Sequence, residues 1–136
     1  MTAKEYLQQA YTIDRRIGLD IQKLEAARSS LHGRAVNYRS DGTRSGSREN
    51  RIENAIIRVL EYEEKIGAEI DELTEKRQEI ERVINSVPDD VQREILTRRY
   101  LLYQKWELVA EEMHRDLRWI YRLHGKAVEN LTIESH

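Results

Sequence analysis

Residues 106–131 read WELVAEEMHRDLRWIYRLHGKAVENL, and this stretch predicts two short helices joined by a tight turn at His114-Arg115. Asp116 follows the turn and is a residue type that caps helix N-termini, so the second helix should begin there. Histidine adopts the left-handed backbone that is common in such turns more readily than most residues other than glycine. The stretch therefore predicts a helix-turn-helix motif.

The second helix of this motif has two chemically different sides. Its apolar residues recur at helical spacing and should point inward; they are Leu117, Ile120, Leu123, Ala127 and Leu131. Its opposite side carries Arg118, Tyr121, Arg122 and Lys126. Arginine presents a rigid pair of donors that fits guanine O6 and N7, whereas the lysine suits a phosphate better. We therefore expect this helix to read double-stranded DNA in the major groove.

The N-terminal part of the chain shows the heptad spacing of coiled coils. A first helix should begin at Thr2, which has capping-box spacing with Glu5, and should end near Gly33. Its seam runs through Tyr6, Ala10, Ile13, Ile17, Asp20, Leu24, Ala27 and Leu31. A second helix, from about residue 49 to residue 87, has the seam Ile52, Ile56, Val59, Glu63, Ile66, Ile70, Leu73, Arg77, Ile80, Ile84 and Val87. Neither stripe can stand alone in water, so we predict that the helices pair as an antiparallel hairpin.

The hairpin register that matches large residues with large ones has an electrostatic consequence. It places Asp20 opposite Glu63, where the like charges would repel each other. We expect the register to slip slightly or the acids to turn outward to Lys23 or Arg16. A bound divalent metal between the acids is the less favoured alternative.

Residues 34–51 interrupt the heptad spacing. Ser40-Asp41-Gly42 and Ser45-Gly46-Ser47 are typical turn residues, so we predict a loop at about residues 33–50. This loop is basic through Arg34, Arg39, Arg44, Arg48 and Arg51. It is either a flexible connection or an additional contact for DNA phosphates, and the sequence leaves both interpretations open.

The long second helix should end at Pro88, the only proline of the chain. Asp89 or Asp90 should cap a further helix of about three turns that reaches Leu102. We therefore predict an all-α protein in two parts. A helical hairpin occupies residues 1–87, and the helix-turn-helix module occupies residues 88–136.

Composition narrows the function classes. The net charge is −2, so any contact with nucleic acid must come from a local basic patch. The chain has no cysteine, which excludes disulfides and Cys-based zinc sites, and its histidines show no metal-ligand spacing. His124 is expected on the flank of its helix, as a surface or phosphate-side residue rather than a catalyst. No residues stand in a recognisable catalytic pattern, so we predict neither an enzyme nor a cofactor. The N-terminus lacks the apolar core of a signal peptide and no apolar run approaches a membrane span, so a cytoplasmic protein is expected.

Two pieces of the sequence resemble the fourth, promoter-reading region of bacterial sigma factors. The first is Leu96-xx-Arg99-Tyr100 followed by Trp106-Glu107-xx-Ala110-xx-Met113, and the second is IYRLHGKAVENL at residues 120–131. The layout of the whole chain, from MTAKEYLQQAY through the Arg/Ser-rich loop to RWIYRLHGKA, is similar to a family of small phage and prophage proteins described as sigma-like or as late-gene transcription regulators. The resemblance implies a sequence-specific DNA-binding regulator, with RNA polymerase as a further candidate partner.

The resemblance also implies roles for individual residues. Carried over by position, Leu117, Arg118, Tyr121 and Arg122 would face the major groove, and Arg115 and Lys126 would flank it on phosphates. Trp119 departs from the family pattern, which is usually polar at this position. The expected explanation is a packing contact of Trp119 with the part of the chain that precedes the helix-turn-helix motif.

Two functional hypotheses from different classes follow. The first is a transcription regulator whose coiled coil forms a homodimer or contacts polymerase. The second is a DNA-packaging adaptor that resembles phage small terminase subunits, which also combine a helix-turn-helix with a helical oligomerisation hairpin; a coiled-coil protein-interaction module is a further alternative. In small terminases the DNA module precedes the hairpin, whereas here it follows, which favours the regulator.

Overall fold

The computed structural model describes the backbone of residues 1–41 and 45–131, and the side chains of residues 1–33 and 48–131. The predicted all-α class is confirmed, since every regular element in these ranges is a helix. The elements are α1 (Ala3–Leu7), α2 (Gln9–Asp41), α3 (Ser45–Asn85), α4 (Asp90–Leu96), a π-helical turn (Thr97–Leu101), α5 (Trp106–Glu112) and α6 (Leu117–Glu129).

The chain forms two compact units. Residues 15–71 make up the first, which we call the long-helix unit. Residues 1–14 join the described residues from 72 onward in the second, which we call the terminal unit. The predicted boundary between residues 87 and 88 is a different statement, since it says that residues 1–87 and residues 88–136 fold independently. It stays a prediction.

Ion pairs join the two helices of the long-helix unit. The Arg16 Nε atom lies 2.6 Å from the Glu69 Oε2 atom, and an Arg28 nitrogen lies 2.7 Å from the Glu63 Oε1 atom. The partner number on α3 falls as the residue number on α2 rises, so the two helices run in opposite directions.

The buried stripe of α3 differs from the predicted seam. Ala55 and Glu69 are buried, whereas the predicted Ile56 and Ile70 are 43% and 48% exposed. Ile56, Glu63 and Ile70 occupy equivalent heptad positions, so burying the isoleucines would bury Glu63 as well. In the structure Glu63 lies outside and pairs with Arg28.

Asp20 is the polar centre of this unit, and it does not lie opposite Glu63, in line with the expected slip of the register. Its carboxylate is only 2% exposed and lies 3.5 Å from the Lys65 Nζ atom and 3.6 Å from the Lys23 Nζ atom. Its carboxyl neighbour is Glu69, and the hydrogen bond with Glu69 lowers the pKa of Asp20, with Lys65 and Lys23 adding to the effect. The expected contact with Lys23 is present, but the acid stays buried because cations and a carboxyl group surround it.

The predicted loop at residues 33–50 is also wrong in most of its length. Helix α2 continues through Gly33 to Asp41, and α3 already begins at Ser45. A single glycine lowers helix stability by about 1 kcal/mol relative to alanine but does not block the helix, and no proline interrupts this stretch. The arginine side chains at 34, 39 and 44, which were candidates for phosphate contacts, lie outside the described side chains.

The terminal unit has two apolar clusters. In the first, Tyr6, Leu7 and Ala10 pack with residues of α3 and with later helices; those partners are Ile80, Ile84, Val87, Leu96, Tyr100 and Ala127. The second contains Ile95, Val109, Ala110 and Ile120. Because α6 contributes to both clusters, it is held from two sides.

Local sequence chemistry sets the helix ends in this unit. Thr2 and Glu5 form the predicted capping box, with both hydrogen bonds at 3.1 Å. Asp89, rather than Asp90, caps α4 by accepting from the Gln92 backbone at 2.9 Å.

Candidate nucleic-acid interface

The turn between α5 and α6 has the geometry that its residues predict. His114 takes the left-handed conformation, with φ at 55°. The Arg115 backbone then donates to the Ala110 carbonyl at 3.0 Å, which closes the end of α5. Asp116 caps α6 by accepting from the Trp119 backbone at 2.7 Å. The direction in which α6 leaves the turn is therefore fixed by backbone hydrogen bonds.

The inner side of α6 packs on α4 and α5. Ile120 and Ala127 have no exposed surface, and Ala110 on α5 is 8% exposed. The small side chain of Ala110 lets the two helices approach closely at their crossing. The packing leaves α6 little freedom to rotate about its axis.

The outer side of α6 carries the residues that the sequence assigns to DNA. Arg118, Tyr121, Arg122 and Lys126 are all exposed, and so is Arg115 in the turn. At 100° per residue the four helical residues span an arc of about 140°. Leu117 lies beside this arc instead of on it, because it is partly buried and packs against the second apolar cluster.

Aromatic contacts position two of these side chains. The Tyr121 ring meets the Trp106 ring edge-on, with 5.3 Å between the two centroids. The Arg99 guanidinium lies over the same indole ring, 4.7 Å from its centroid. The Arg115 guanidinium lies 4.8 Å from the centroid of Trp119. Trp119 itself is partly buried against the second cluster, in agreement with the packing role expected for it.

His124 contradicts its predicted surface position. It is 9% exposed, its Nε2 atom lies 2.7 Å from the Tyr100 hydroxyl, and its ring meets Trp106 edge-on at 4.7 Å. Burial lowers the pKa of His124 to about 4 and raises the pKa of Tyr100 to about 12. The imidazole of His124 is therefore neutral and shares one hydrogen bond with the Tyr100 hydroxyl, whose direction depends on the tautomer of the ring. Its spacing from Ile120 and Ala127 already places it on the inner side of α6, and that signal could have predicted its burial.

The charge of α5 limits where an anion can approach. Glu107 and Glu111 are exposed on α5, whereas Glu112 forms an ion pair with Arg98. Helix α6 has no acidic residue before Glu129. From Leu117 to Val128 the exposed charged side chains of α6 are therefore all basic, whereas those of α5 are acidic.

No protein-family model, no curated protein and no solved structure matches this chain significantly. In the described ranges, no group of three or more histidine and acidic residues is placed to hold a metal ion. Among the same residues, no helix combines the length and apolarity that crossing a membrane requires.

Proposed function

We propose that this protein binds double-stranded DNA in a sequence-specific manner and regulates transcription, with α6 as the helix that enters the major groove. The observation that carries the proposal is the outer side of α6, where three basic residues and a tyrosine are exposed without an intervening acid. The rigid packing of the opposite side supports it, because a reading helix must hold its side chains at fixed positions.

The dimensions of α6 fit this role. Its 13 residues make a helix about 20 Å long, and the major groove, about 12 Å wide, admits an α-helix. The N-terminal turns of recognition helices contact the bases in related motifs. Arg118 and Arg122 lie one turn apart there and are the proposed base readers.

The remaining exposed residues have supporting roles in the proposal. Lys126 lies further along α6 and contacts a phosphate as a point charge. Arg115 lies in the turn with its guanidinium stacked on Trp119, and in the proposal it contacts a phosphate on the other flank of the groove. Tyr121 rests on Trp106 and presents its hydroxyl to the DNA.

Binding to a random-sequence duplex at several salt concentrations tests the electrostatic part of the proposal. Each lost phosphate contact reduces the slope of log K against log salt by about 0.9. Lys126→Ala should flatten the slope by about that amount, and Arg58→Ala, which removes an exposed arginine of α3, should leave it unchanged. Equal slopes for wild type, Lys126→Ala and Arg58→Ala would contradict the proposed phosphate contact.

A further inference from the structure

A second apolar surface lies on the outside of the long-helix unit. Ile56, Leu60 and Ile70 of α3 are 43%, 57% and 48% exposed, and Ile21 of α2 is 39% exposed. We call these four residues the outer stripe. The α3 members are spaced to share one side of the helix. Ile21 and Ile70 each lie one heptad from the ion pair of Arg28 with Glu63, which places them beside each other.

A glycine lies beside the outer stripe, at a position where a single chain leaves open space. Gly67 lies on α3 between Leu60 and Ile70, and a Cβ atom built there would meet nothing within 4 Å. A glycine inside a helix weakens it relative to alanine. Within one chain, therefore, Gly67 carries a loss of helix stability and leaves open space on the surface.

We propose that the outer stripe is the interface of a homodimer in which α3 packs antiparallel against α3 of a second copy. A two-fold axis that passes near residues 63 and 64 brings Leu60 of each copy over Gly67 of the other. The same axis brings Ile56 of each copy to Ile70 of the other. A two-fold interface must be complementary to itself, and one axis position satisfies both contacts.

Two exposed acids, Glu63 and Glu64, lie near this axis, so the pairing brings like charges together at a surface where salt screens them. Glu63 lies on the axis and would meet the same residue of the second copy. Within each copy it already forms the 2.7 Å ion pair with Arg28, so its charge is balanced locally. The repulsion between the two Glu63 side chains is reduced accordingly.

The area of the stripe fits a dimer of moderate affinity. Each of the four side chains is about half exposed and offers about 80 Å², so two copies would bury about 650 Å² of apolar surface. Apolar atoms make up about 60% of a typical interface, which gives a total near 1,100 Å². That total lies at the small end of protein interfaces, among the weak and transient ones, so we expect a dimer that dissociates on dilution.

Sedimentation of the full chain over about 1 to 100 µM tests the proposal. The wild type should move from monomer to dimer, and Leu60→Asp should stay monomeric with unchanged helicity, because Leu60 is exposed within one chain. Leu102→Asp is the matched control, since Leu102 is also 57% exposed but lies outside the stripe. A wild type that stays monomeric, or that forms rings larger than a dimer, would overturn the proposal.

Three further variants test the register. Gly67→Leu fills the space proposed for Leu60 and should weaken dimerisation at least tenfold while the monomer keeps its helicity.

The chain has no cysteine, so single-cysteine variants report on proximity directly. Glu63→Cys should form a disulfide-linked dimer on oxidation, and Glu61→Cys, on another side of α3, should not. Equal cross-linking of both variants, or an undisturbed dimer in Gly67→Leu, would exclude this interface. The interface is separate from α6, so its failure would leave the DNA proposal unaffected.

Discussion

In the terminal unit, large apolar side chains such as Ile84, Ile95 and Ile120 have no exposed surface, whereas Ile17, Val59 and Ile66 of the long-helix unit keep 7–8%. Among the described side chains of the long-helix unit, the most buried is an aspartate, Asp20, at 2%. Two helices can enclose only one stripe, and several helices can enclose a core from all sides. The comparison indicates that apolar packing stabilises the terminal unit, and that a polar cluster aligns the helices of the other.

The two units should differ most in the stability that they lose when a buried isoleucine is replaced by alanine. Ile120→Ala removes a fully enclosed side chain and should destabilise the terminal unit by about 2–5 kcal/mol. Ile66→Ala should cost less, because Ile66 lies at a seam that solvent reaches. Both tryptophans of the chain, Trp106 and Trp119, belong to the terminal unit, so fluorescence during urea unfolding reports on it alone. An equal shift of the fluorescence transition in both variants would contradict the comparison.

Acid should weaken the terminal unit through His124. Its pKa is lowered to about 4 in the folded state, whereas an unfolded histidine titrates near 6.5. The unfolded state therefore binds the proton first as the pH falls, and stability is lost between about pH 6.5 and pH 4, by up to about 3 kcal/mol. Urea unfolding at several pH values, followed by fluorescence, measures this loss. His124→Gln retains a polar partner for Tyr100 but does not titrate in this pH range. If the stability of this variant still falls between about pH 6.5 and pH 4, the loss is due to groups other than His124.

Replacing the buried acids should change the free energy of unfolding of the long-helix unit by less than the changes above, and it should raise that free energy instead of lowering it. Asp20→Leu/Glu69→Leu substitutes apolar packing for a buried polar cluster and should stabilise this unit by about 1–2 kcal/mol. The pKa of Asp20 is lowered in the folded state, so its contribution is present above an unfolded value of about 4 and is lost as the pH falls further. Thermal unfolding followed by circular dichroism should show a higher midpoint and a weaker loss below about pH 4. A lower midpoint at neutral pH would mean that the acids stabilise the pairing itself.

The sequence predicts the turn and α6 well because their determinants are local. Asp116 caps the helix that follows it, His114 takes the left-handed conformation, and the polar and apolar sides of α6 separate at helical spacing. These features depend on residues within two turns of each other. The burial of His124 does not follow from its polar chemistry, which favours the surface, and only its spacing from Ile120 and Ala127 indicates it.

The long helices were harder to predict in detail because heptad spacing allows two seams on α3. Both seams share Val59 and Ile66. They differ before Val59, where either Ala55 or Ile56 faces α2, and after Ile66, where either Glu69 or Ile70 does. Side-chain size favours the isoleucine, but the ion pair of Glu63 with Arg28, on the other helix, favours the alanine. Such a choice depends on residues far apart in the sequence.

Selection of bound sequences from a random duplex pool, at about physiological salt, tests the central claim most directly. The Arg118→Ala/Arg122→Ala variant runs in parallel, with Arg58→Ala/Arg82→Ala as a control that loses the same charge from α3. We predict one enriched motif for the wild type and the control, and no motif for the α6 variant, because each good base contact contributes about 1–3 kcal/mol of discrimination. The same result for the wild type and the α6 variant, whether a shared motif or none, would contradict the assignment of α6 as the reading helix.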